Sequence, residues 1–421
     1  MTLSSRIPGF YKLSPKEKLT KVKEMVGLTS EEADTIWLGR PPIEDVDRMV
    51  ENVIGVIGIP LGIATNFLIN GKDYLIPMAT EEPSVVAAAS NGAKIARIKG
   101  GFYTTSTEPY MDVQIQVVNV KDPNFAKMKI IENKAELIAE ANTQDPVLLE
   151  MGGGAKDLSV KVLETDRGKT VLISLTVDVR DAMGANTVNR MAEYIKPMIE
   201  KICDSAVSMC VIDNYAVKRL ARARAVFDKE ALGGQPVIDN FLYNYSCAYY
   251  DKHRATGHNK GTLNGIIAVA LATGQDTRAV ESGFHSYAAR NGQYRALPVW
   301  EQNEEGDLVG TLEMPVPVGI VGGISHFHPV AASCIRILGV KSARELGEVL
   351  AAVGLAQKVA AERALADEGI VRGHTKMHAR TVAAMAGARG DLIDKISKQM
   401  IDEGLVRSDR AMELFAEFSG K

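Results

Sequence analysis

From Val171 to Val179 the apolar side chains fall on every second residue, Val171, Ile173, Leu175, Val177 and Val179, with Ser174, Thr176 and Asp178 between them. That alternation predicts a strand with one buried face. Past Asn186 the period changes, and Val188, Met191, Ala192, Ile195 and Met198 follow helical spacing. A strand therefore hands over to a helix N-terminus within Asp181-Ala-Met-Gly-Ala-Asn-Thr-Val-Asn189. Unpaired backbone N–H groups at such a junction favour an anion such as a phosphate, although the same junction also serves as plain scaffold. No G-x-G-x-x-G follows a strand anywhere in the chain, so a dinucleotide held here is not held in the Rossmann manner.

The same reading organises the rest. Residues 113 to 120 alternate, 134 to 141 have a helical pattern, Gly152-Gly-Gly154 turns, and Leu158, Val160 and Val162 alternate again. Residues 108–215 thus read as strand-helix-strand-strand-helix, a small α+β domain with an antiparallel sheet. Upstream, Ser14-Pro-Lys-Glu17 and Thr29-Ser-Glu-Glu32 are capping boxes that open two short helices. The apolar stretch from Val53 to Ile69 is broken by Gly55, Gly58, Pro60, Gly62 and Asn66, too interrupted to span a bilayer, and reads as buried core. A helix from Pro83 to about Arg97 carries Ala and Val on all sides, which predicts burial in the middle of a domain. From Arg219 to Ile370 helical segments alternate with Gly-rich loops and a hairpin near Asn303 to Gly306. Three amphipathic helices follow, separated by Gly387/Gly390 and Gly404/Ser408, either a packed bundle or a mobile lid beyond Gly373. The expected fold class is α+β. A large helix-rich domain built around a buried central helix (1–107 and 216–370) carries the inserted small domain (108–215) and a C-terminal three-helix lid (371–421).

With 421 residues, 46% apolar and 24% charged, and a net charge of −3, the chain is long enough for two or three soluble domains. The charge balance suggests no nucleic-acid or membrane partner. The polar start with Arg6 lacks the apolar core of a secretory signal. Cys203, Cys210, Cys247 and Cys334 form no C-x-x-C, and read as reduced thiols in a cytoplasmic protein, packed as small buried hydrophobes.

Four polar clusters could carry chemistry, each with a plainer reading beside it. Glu82 precedes Pro83 at a helix start, where a carboxylate already suits the helix dipole. Lys260 lies in His258-Asn-Lys-Gly-Thr-Leu-Asn-Gly265, a glycine-flanked turn entering a helix, and such lysines are mostly solvated. Asp276, in Thr273-Gly-Gln-Asp276, fits the N-cap of the helix that contains Ala279 and Val280. His374 stands four residues from His378, the spacing of a metal pair, and His326 and His328 form a second close pair. No H-E-x-x-H or Cys/His cluster supplies a third ligand and a carboxylate, so no metal is expected, and the histidines suit proton transfer better.

Together Glu51-Asn-Val-Ile-Gly55, Glu81-Glu-Pro-Ser84, Asp181-Ala-Met-Gly-Ala-Asn-Thr187, His258-Asn-Lys-Gly261, Gly310-Thr-Leu-Glu-Met-Pro315 and Gly373-His-Thr-Lys-Met-His-Ala-Arg380 resemble the class II, prokaryotic-type 3-hydroxy-3-methylglutaryl-CoA (HMG-CoA) reductases. The resemblance runs in order along nearly the whole chain. It implies a four-electron, two-hydride interconversion of HMG-CoA with mevalonate and CoA, using a nicotinamide cofactor. Carried over by motif, it makes Lys260 the oxyanion stabiliser, His374 the acid for the CoA sulfur, Glu82 the acid for the aldehyde-derived oxygen, and Asp276 the link between lysine and glutamate. These side chains are expected to converge. It puts the cofactor on Asp181, Met183, Gly184 and Asn186, with Asn214 a further contact. Asp145, in Asn142-Thr-Gln-Asp-Pro146, matches the acidic position that accepts the ribose 2′-OH and favours NAD(H) over NADP(H), although Asp-Pro also simply opens a turn. Ser84, Arg254 and Asn264 are implied acyl-CoA contacts. Thr375 stands where the family commonly has Met after the catalytic histidine. The resemblance also implies a homodimer or higher even oligomer with its site at the subunit interface. The competing readings are a metal-dependent hydrolase using His374 and His378, and a non-catalytic acyl-CoA-binding relative.

Overall fold

The computed structural model describes residues 3–366 and 370–419, without the side chains of residues 325, 326 and 370–377. Its strands are β1 (Leu61–Ile69), β2 (Lys72–Ala79), β3 (Phe102–Ser106), β4 (Tyr110–Val117), β5 (Gly154–Thr165), β6 (Gly168–Asp178), β7 (Val207–Ile212), β8 (Leu220–Phe227), β9 (Val299–Gln302) and β10 (Leu308–Pro315). A six-stranded sheet has the order β2-β1-β3-β8-β10-β9, and a four-stranded sheet the order β5-β6-β4-β7. All pairs in the smaller sheet are antiparallel. The fold is α+β, and the smaller sheet is built from chain that departs after β3 and returns at β8.

The alternation at 171–179 sits in β6, where Val171, Ile173, Leu175 and Val177 are fully buried. Helix Ala185–Cys203 lays Val188, Met191, Ala192, Ile195 and Ile199 into the same core. Each of the larger side chains contributes about 1.5–3 kcal/mol on leaving water. Two features of this domain differ from the sequence reading. Three helices, Pro123–Glu132, Lys134–Asn142 and Pro146–Glu150, lie between β4 and β5 where one was expected, and β7 was not expected at all. β7 is a short edge strand, and Ser208 and Val211, on opposite sides of it, are both exposed, so it carries no clean alternation.

In the large domain the helix Ala343–Ala366 runs through the core, with every residue from Val349 to Val359 buried. This is the central helix, not the Ala-rich one, which spans Val85–Ile98 and buries a single face while Ala87, Asn91 and Lys94 are exposed. The two cross at Gly92, where a Cβ would stand 2.0 Å from the Ala356 carbonyl oxygen, so any side chain there would hold the helices apart.

The expectation that Val53 to Ile69 is core holds only for its second half. β1 pairs with β2 and packs inward, whereas the stretch before it forms no strand, leaving Ile54 and Ile57 almost fully exposed. The first capping boxes form as read, with Ser14 and Glu17, and Thr29 and Glu32, bonded reciprocally. The hairpin near Asn303 is the β9–β10 connection. Helices Ile370–Met385, Asp391–Asp402 and Ser408–Ser419 share a small core of Ala379, Ala383, Ile396, Met400, Ala411 and Leu414. All four thiols are free, but only Cys334 is buried, and Cys247 is exposed on the outer face of helix Gln235–Tyr250, contrary to the expectation of four buried cysteines. No helix among the described residues is long and apolar enough to cross a membrane.

Candidate active site

Lys260 lies in the middle of helix Lys252–Ala272, not in a turn leading into it. The glycines that suggested a turn are packing sites within the helix. A Cβ on Gly265 would come within 2.9 Å of Gln357 on the central helix, and one on Gly261 within 3.5 Å of the Lys358 Nζ. Glycine weakens a helix by about 1 kcal/mol relative to alanine, and close packing on a neighbour offsets that here.

From this helix the Lys260 Nζ donates to Glu82 Oε2 at 2.8 Å, and Asn264, one turn on, presents its Nδ2 to Glu82 Oε1 at 3.3 Å. Glu82 sits on the turn between β2 and helix 85–98, its N–H bonded to the Thr80 hydroxyl. Ser84 closes that turn with φ 73°, a left-handed conformation that non-glycine residues seldom adopt and that marks local strain. Its side chain makes no capping bond. Lys260 and Glu82 remain open to solvent, with side chains 61% and 38% exposed, so the pair can meet a ligand.

Asp276 does not join them within one chain. It caps helix Thr277–Ala288, accepting from the Arg278 and Ala279 N–H groups at 3.1 Å, and its carboxylate pairs with the Arg278 guanidinium at 3.2 Å. Twelve residues of helix separate Lys260 from Ala272, about 18 Å of axis. The expected convergence of Glu82, Lys260 and Asp276 is therefore realised in this chain only for the first two, because Asp276 lies past the far end of the lysine's helix.

What Asp276 does share is a cleft with residues 182–187 of the turn, together with Gln275, Gly319, His328 and the exposed Val56 and Ile57. Gly184 (φ 104°) is the N-cap of helix 185–203, and no side chain caps it. A Cβ on Gly184 would lie 2.6 Å from Val179, so glycine is required by space as well as by φ. The first-turn N–H groups of Ala185, Asn186 and Thr187 thus open toward the cleft, a donor set suited to a dinucleotide's phosphates. Asp181 is spent on the scaffold: its Oδ1 accepts the Ala343 N–H at 2.8 Å and its carbonyl accepts the Ile320 N–H at 2.8 Å. The Met183 carbonyl is likewise taken, by the Arg219 guanidinium at 3.1 Å. Asn214 is exposed in the turn after β7, its carbonyl against Gly283, outside the residues that line the cleft.

Asp145 caps helix 146–150 through Oδ1, which accepts the Leu148 N–H at 3.1 Å, and its Oδ2 pairs with Arg190 of helix 185–203 at 3.1 Å. Arg254 is not free either: its Nη2 donates to Glu362 Oε1 at 2.6 Å. Glu362 also holds Lys358 at 2.5 Å, behind Gly261, and faces the buried His258 ring at 3.3 Å without hydrogen-bond alignment. Burial pushes the Glu362 carboxyl up, but the neighbouring His258 and the Lys358 charge outweigh it and hold it at about 2. Burial draws Lys358 down to about 8 and His258 down to about 4. Sequence reading missed this cluster, as it missed Arg219, since a lone Lys, Glu or Arg inside an apolar helix or at a strand end carries no spacing signal.

His374 and His326 fall on the helices Ile370–Met385 and Ile324–Phe327, but their side chains lie outside the described residues. Their partners His378 and His328 are respectively exposed and half-buried, and His328 caps helix Pro329–Leu338. Among the described residues no group of three or more His, Cys, Asp or Glu side chains could hold a metal.

A family model described as hydroxymethylglutaryl-coenzyme A reductase matches residues 14–379. The 3-hydroxy-3-methylglutaryl-coenzyme A reductase of Archaeoglobus fulgidus is 52% identical over 412 residues, covering 98% of this chain and 94% of that protein. The probable enzyme of Borreliella burgdorferi is 35% identical over 355 residues, 82% of this chain and 80% of its own. Among solved structures, a reductase of this kind from Streptococcus pneumoniae superposes with a TM-score of 0.83 at 34% identity, covering 98% of this chain and 99% of that one. The class II Streptococcus pneumoniae enzyme bound to NADPH in open conformations gives 0.82 at 36% identity, over 85% of this chain and 99% of that one.

Proposed function

Because the chain belongs to the hydroxymethylglutaryl-coenzyme A reductase family, a family of NAD(P)-dependent oxidoreductases, we propose that it interconverts (S)-HMG-CoA with (R)-mevalonate and CoA through the Glu82–Lys260 pair. The observation that carries this reading is the 2.8 Å contact between those two side chains, which lie 178 residues apart in sequence and are both open to solvent. The thioester accepts two hydrides at its carbonyl carbon and two protons, one on the departing sulfur and one on the oxygen, giving a primary alcohol and free thiol. A nicotinamide dinucleotide, when bound, supplies each hydride.

Lys260 stabilises the oxyanion that forms as the carbonyl carbon becomes tetrahedral, and does so again when the aldehyde is reduced. Glu82, held by Lys260 and Asn264, protonates the aldehyde-derived oxygen. His374 protonates the departing CoA sulfur from the C-terminal tail, so closure of the three-helix segment is part of the cycle, with Thr375 altering its packing rather than the proton transfer. Ser84, Asn264 and Arg254 contact the acyl-CoA, the last after releasing Glu362.

The first turn of helix 185–203, with Met183, Gly184 and Asn186, cradles the dinucleotide, and Asp181 and Asn214 support that side. Asp145 disfavours a 2′-phosphate and tilts the choice toward NAD(H) over NADP(H). Asp276 completes the catalytic set in a homodimer or a higher even oligomer. Two features support that: its distance from Lys260 along one helix, and the exposed Ile54 and Ile57, the latter lining the cleft, which need cover. The free thiols are consistent with a reducing compartment, the cytoplasm.

The test follows NADH and NADPH oxidation separately with HMG-CoA as acceptor. Wild-type protein should oxidise both, with NADH favoured, and Lys260→Ala should lower kcat by about a hundredfold or more without loss of fold. Unchanged turnover in Lys260→Ala would remove the lysine from the chemistry, and a wild type that binds CoA without turnover would make the chain a binding relative only.

A further inference from the structure

Arg219 is the least expected charge in the molecule. It stands just before β8, is 3% exposed, and forms no ion pair among the described residues. Its acceptors are three main-chain carbonyls, Ala182 and Met183 at 3.1 Å through Nη1 and Val318 at 2.6 Å through Nη2. Two of these belong to the inserted domain's turn and the third to the large domain, so one guanidinium bonds both. Burial draws even this arginine down to about 10, with Asp181 and Asp178 opposing.

The consequence follows from peptide geometry. In a trans peptide the C=O and the next N–H point in opposite directions. Drawing the Ala182 and Met183 carbonyls to the guanidinium therefore turns the Met183 and Gly184 N–H groups away from it. Among the described residues no carbonyl accepts from either N–H. A cation bonded to the carbonyl oxygen also polarises the amide and sharpens the N–H as a donor.

A second observation marks the same place independently. Gly319, one residue after Val318, comes so close that a Cβ would lie 2.4 Å from the Met183 nitrogen and 2.8 Å from the Ala182 carbonyl carbon. Its own N–H donates to Gln275 Oε1 at 2.8 Å, next to Asp276. Only glycine lets this segment approach the 182–183 peptide so closely, and the turn is thereby registered against the segment that carries Asp276.

We propose that Arg219 is a positioning residue for the cofactor: by holding the Ala182 and Met183 carbonyls it aims the Met183 and Gly184 N–H groups at the dinucleotide's pyrophosphate, while Gly319, having no side chain, lets the turn seat at the depth this requires. This rests on the reading of the 181–187 turn as the dinucleotide site. Arg219 itself touches no substrate.

The experiment titrates the purified full-length protein with NADPH and with NADH, read by nicotinamide fluorescence, and with coenzyme A by calorimetry. Arg219→Met and Gly319→Ala should each weaken both nicotinamide dissociation constants by about tenfold or more, and Arg219→Lys, with one compact ammonium in place of a fork, by an intermediate factor of about three. Coenzyme A affinity should stay within about twofold, a split that a general loss of structure would not produce. If Arg219→Met does not fold, Arg219→Lys and Gly319→Ala carry the test. Nicotinamide constants within about twofold of wild type in the folded variants, or coenzyme A weakened in parallel, would overturn the inference alone. A wild type that binds neither nicotinamide but does bind coenzyme A would overturn the cofactor reading and this inference with it.

Discussion

Asp145 has a structural role, and under the proposed function a selective one as well. One oxygen caps helix 146–150 and the other meets Arg190, so the carboxylate that would repel a 2′-phosphate stands beside a guanidinium that would attract one. The sequence reading saw the acidic position but not its neighbour, because residues 145 and 190 share no local pattern. Removing the carboxylate releases Arg190. Asp145→Ala should therefore raise kcat/KM for NADPH relative to NADH by about tenfold, and lose roughly 1 kcal/mol with the cap, seen as a lower Tm. A nucleotide preference unmoved by the substitution would take Asp145 out of the selectivity. His258 offers a second prediction at this scale. Burial, opposed by Glu362, lowers its pKa to about 4 from 6.5, with Lys358 and Arg254 adding to the fall. A base whose pKa drops on folding takes up protons more readily when unfolded, so its contribution is complete above pH 6.5 and is lost as pH falls toward 4. Thermal unfolding should show an acid limb worth on the order of 1–3 kcal/mol over that interval, and His258→Gln should flatten it. An equally steep limb in the variant would assign it to other groups.

Elements were legible where a pattern and a boundary agreed. β6 was announced by five alternating apolar residues, four of them within it, and helices Pro15–Val26 and Ser30–Leu38 by capping boxes that form as written. Residues His258 to Gly265, inside helix Lys252–Ala272, read as a turn entering a helix because Gly261 and Gly265 look like punctuation, whereas both face the central helix at short range. Glycine marks a bend and a close crossing with the same letter, and only the neighbour distinguishes them. Gly92 is the sharpest case, and Gly92→Ala should destabilise by about 1–3 kcal/mol or more through overpacking against Ala356, lowering Tm. A variant that melts with wild type would mean that the two helices part without strain.

At the scale of the whole molecule, residue types pointed to the proposed catalytic set only through the order of six motifs, since nothing in the spacing of Glu82 and Lys260 says that they meet. Asp276 could not have been separated from them by sequence, because a helix that looked broken at Gly261 proved continuous for about 18 Å beyond the lysine. The exposed Ile54 and Ile57, read at first as interior, point the same way as that separation. Light scattering should report a dimer or larger even assembly, and Ile54→Glu with Ile57→Glu should shift it toward monomer and lower turnover together. A fully active monomer would place Asp276 outside the chemistry.

The junction of the inserted domain has a consequence for how this chain can be taken apart. Thr107 and Leu220 face each other across the gap, the Thr107 N–H bonded to the Leu220 carbonyl at 2.9 Å and the Leu220 N–H to the Thr107 hydroxyl at 2.8 Å. The chain therefore enters and leaves the smaller sheet through a single doorway whose two jambs are already joined. A short Asn-Gly turn spliced between them would complete a hairpin of β3 and β8. The shortened protein, stripped of the proposed nicotinamide side, would let affinity for the acyl-CoA be weighed by itself.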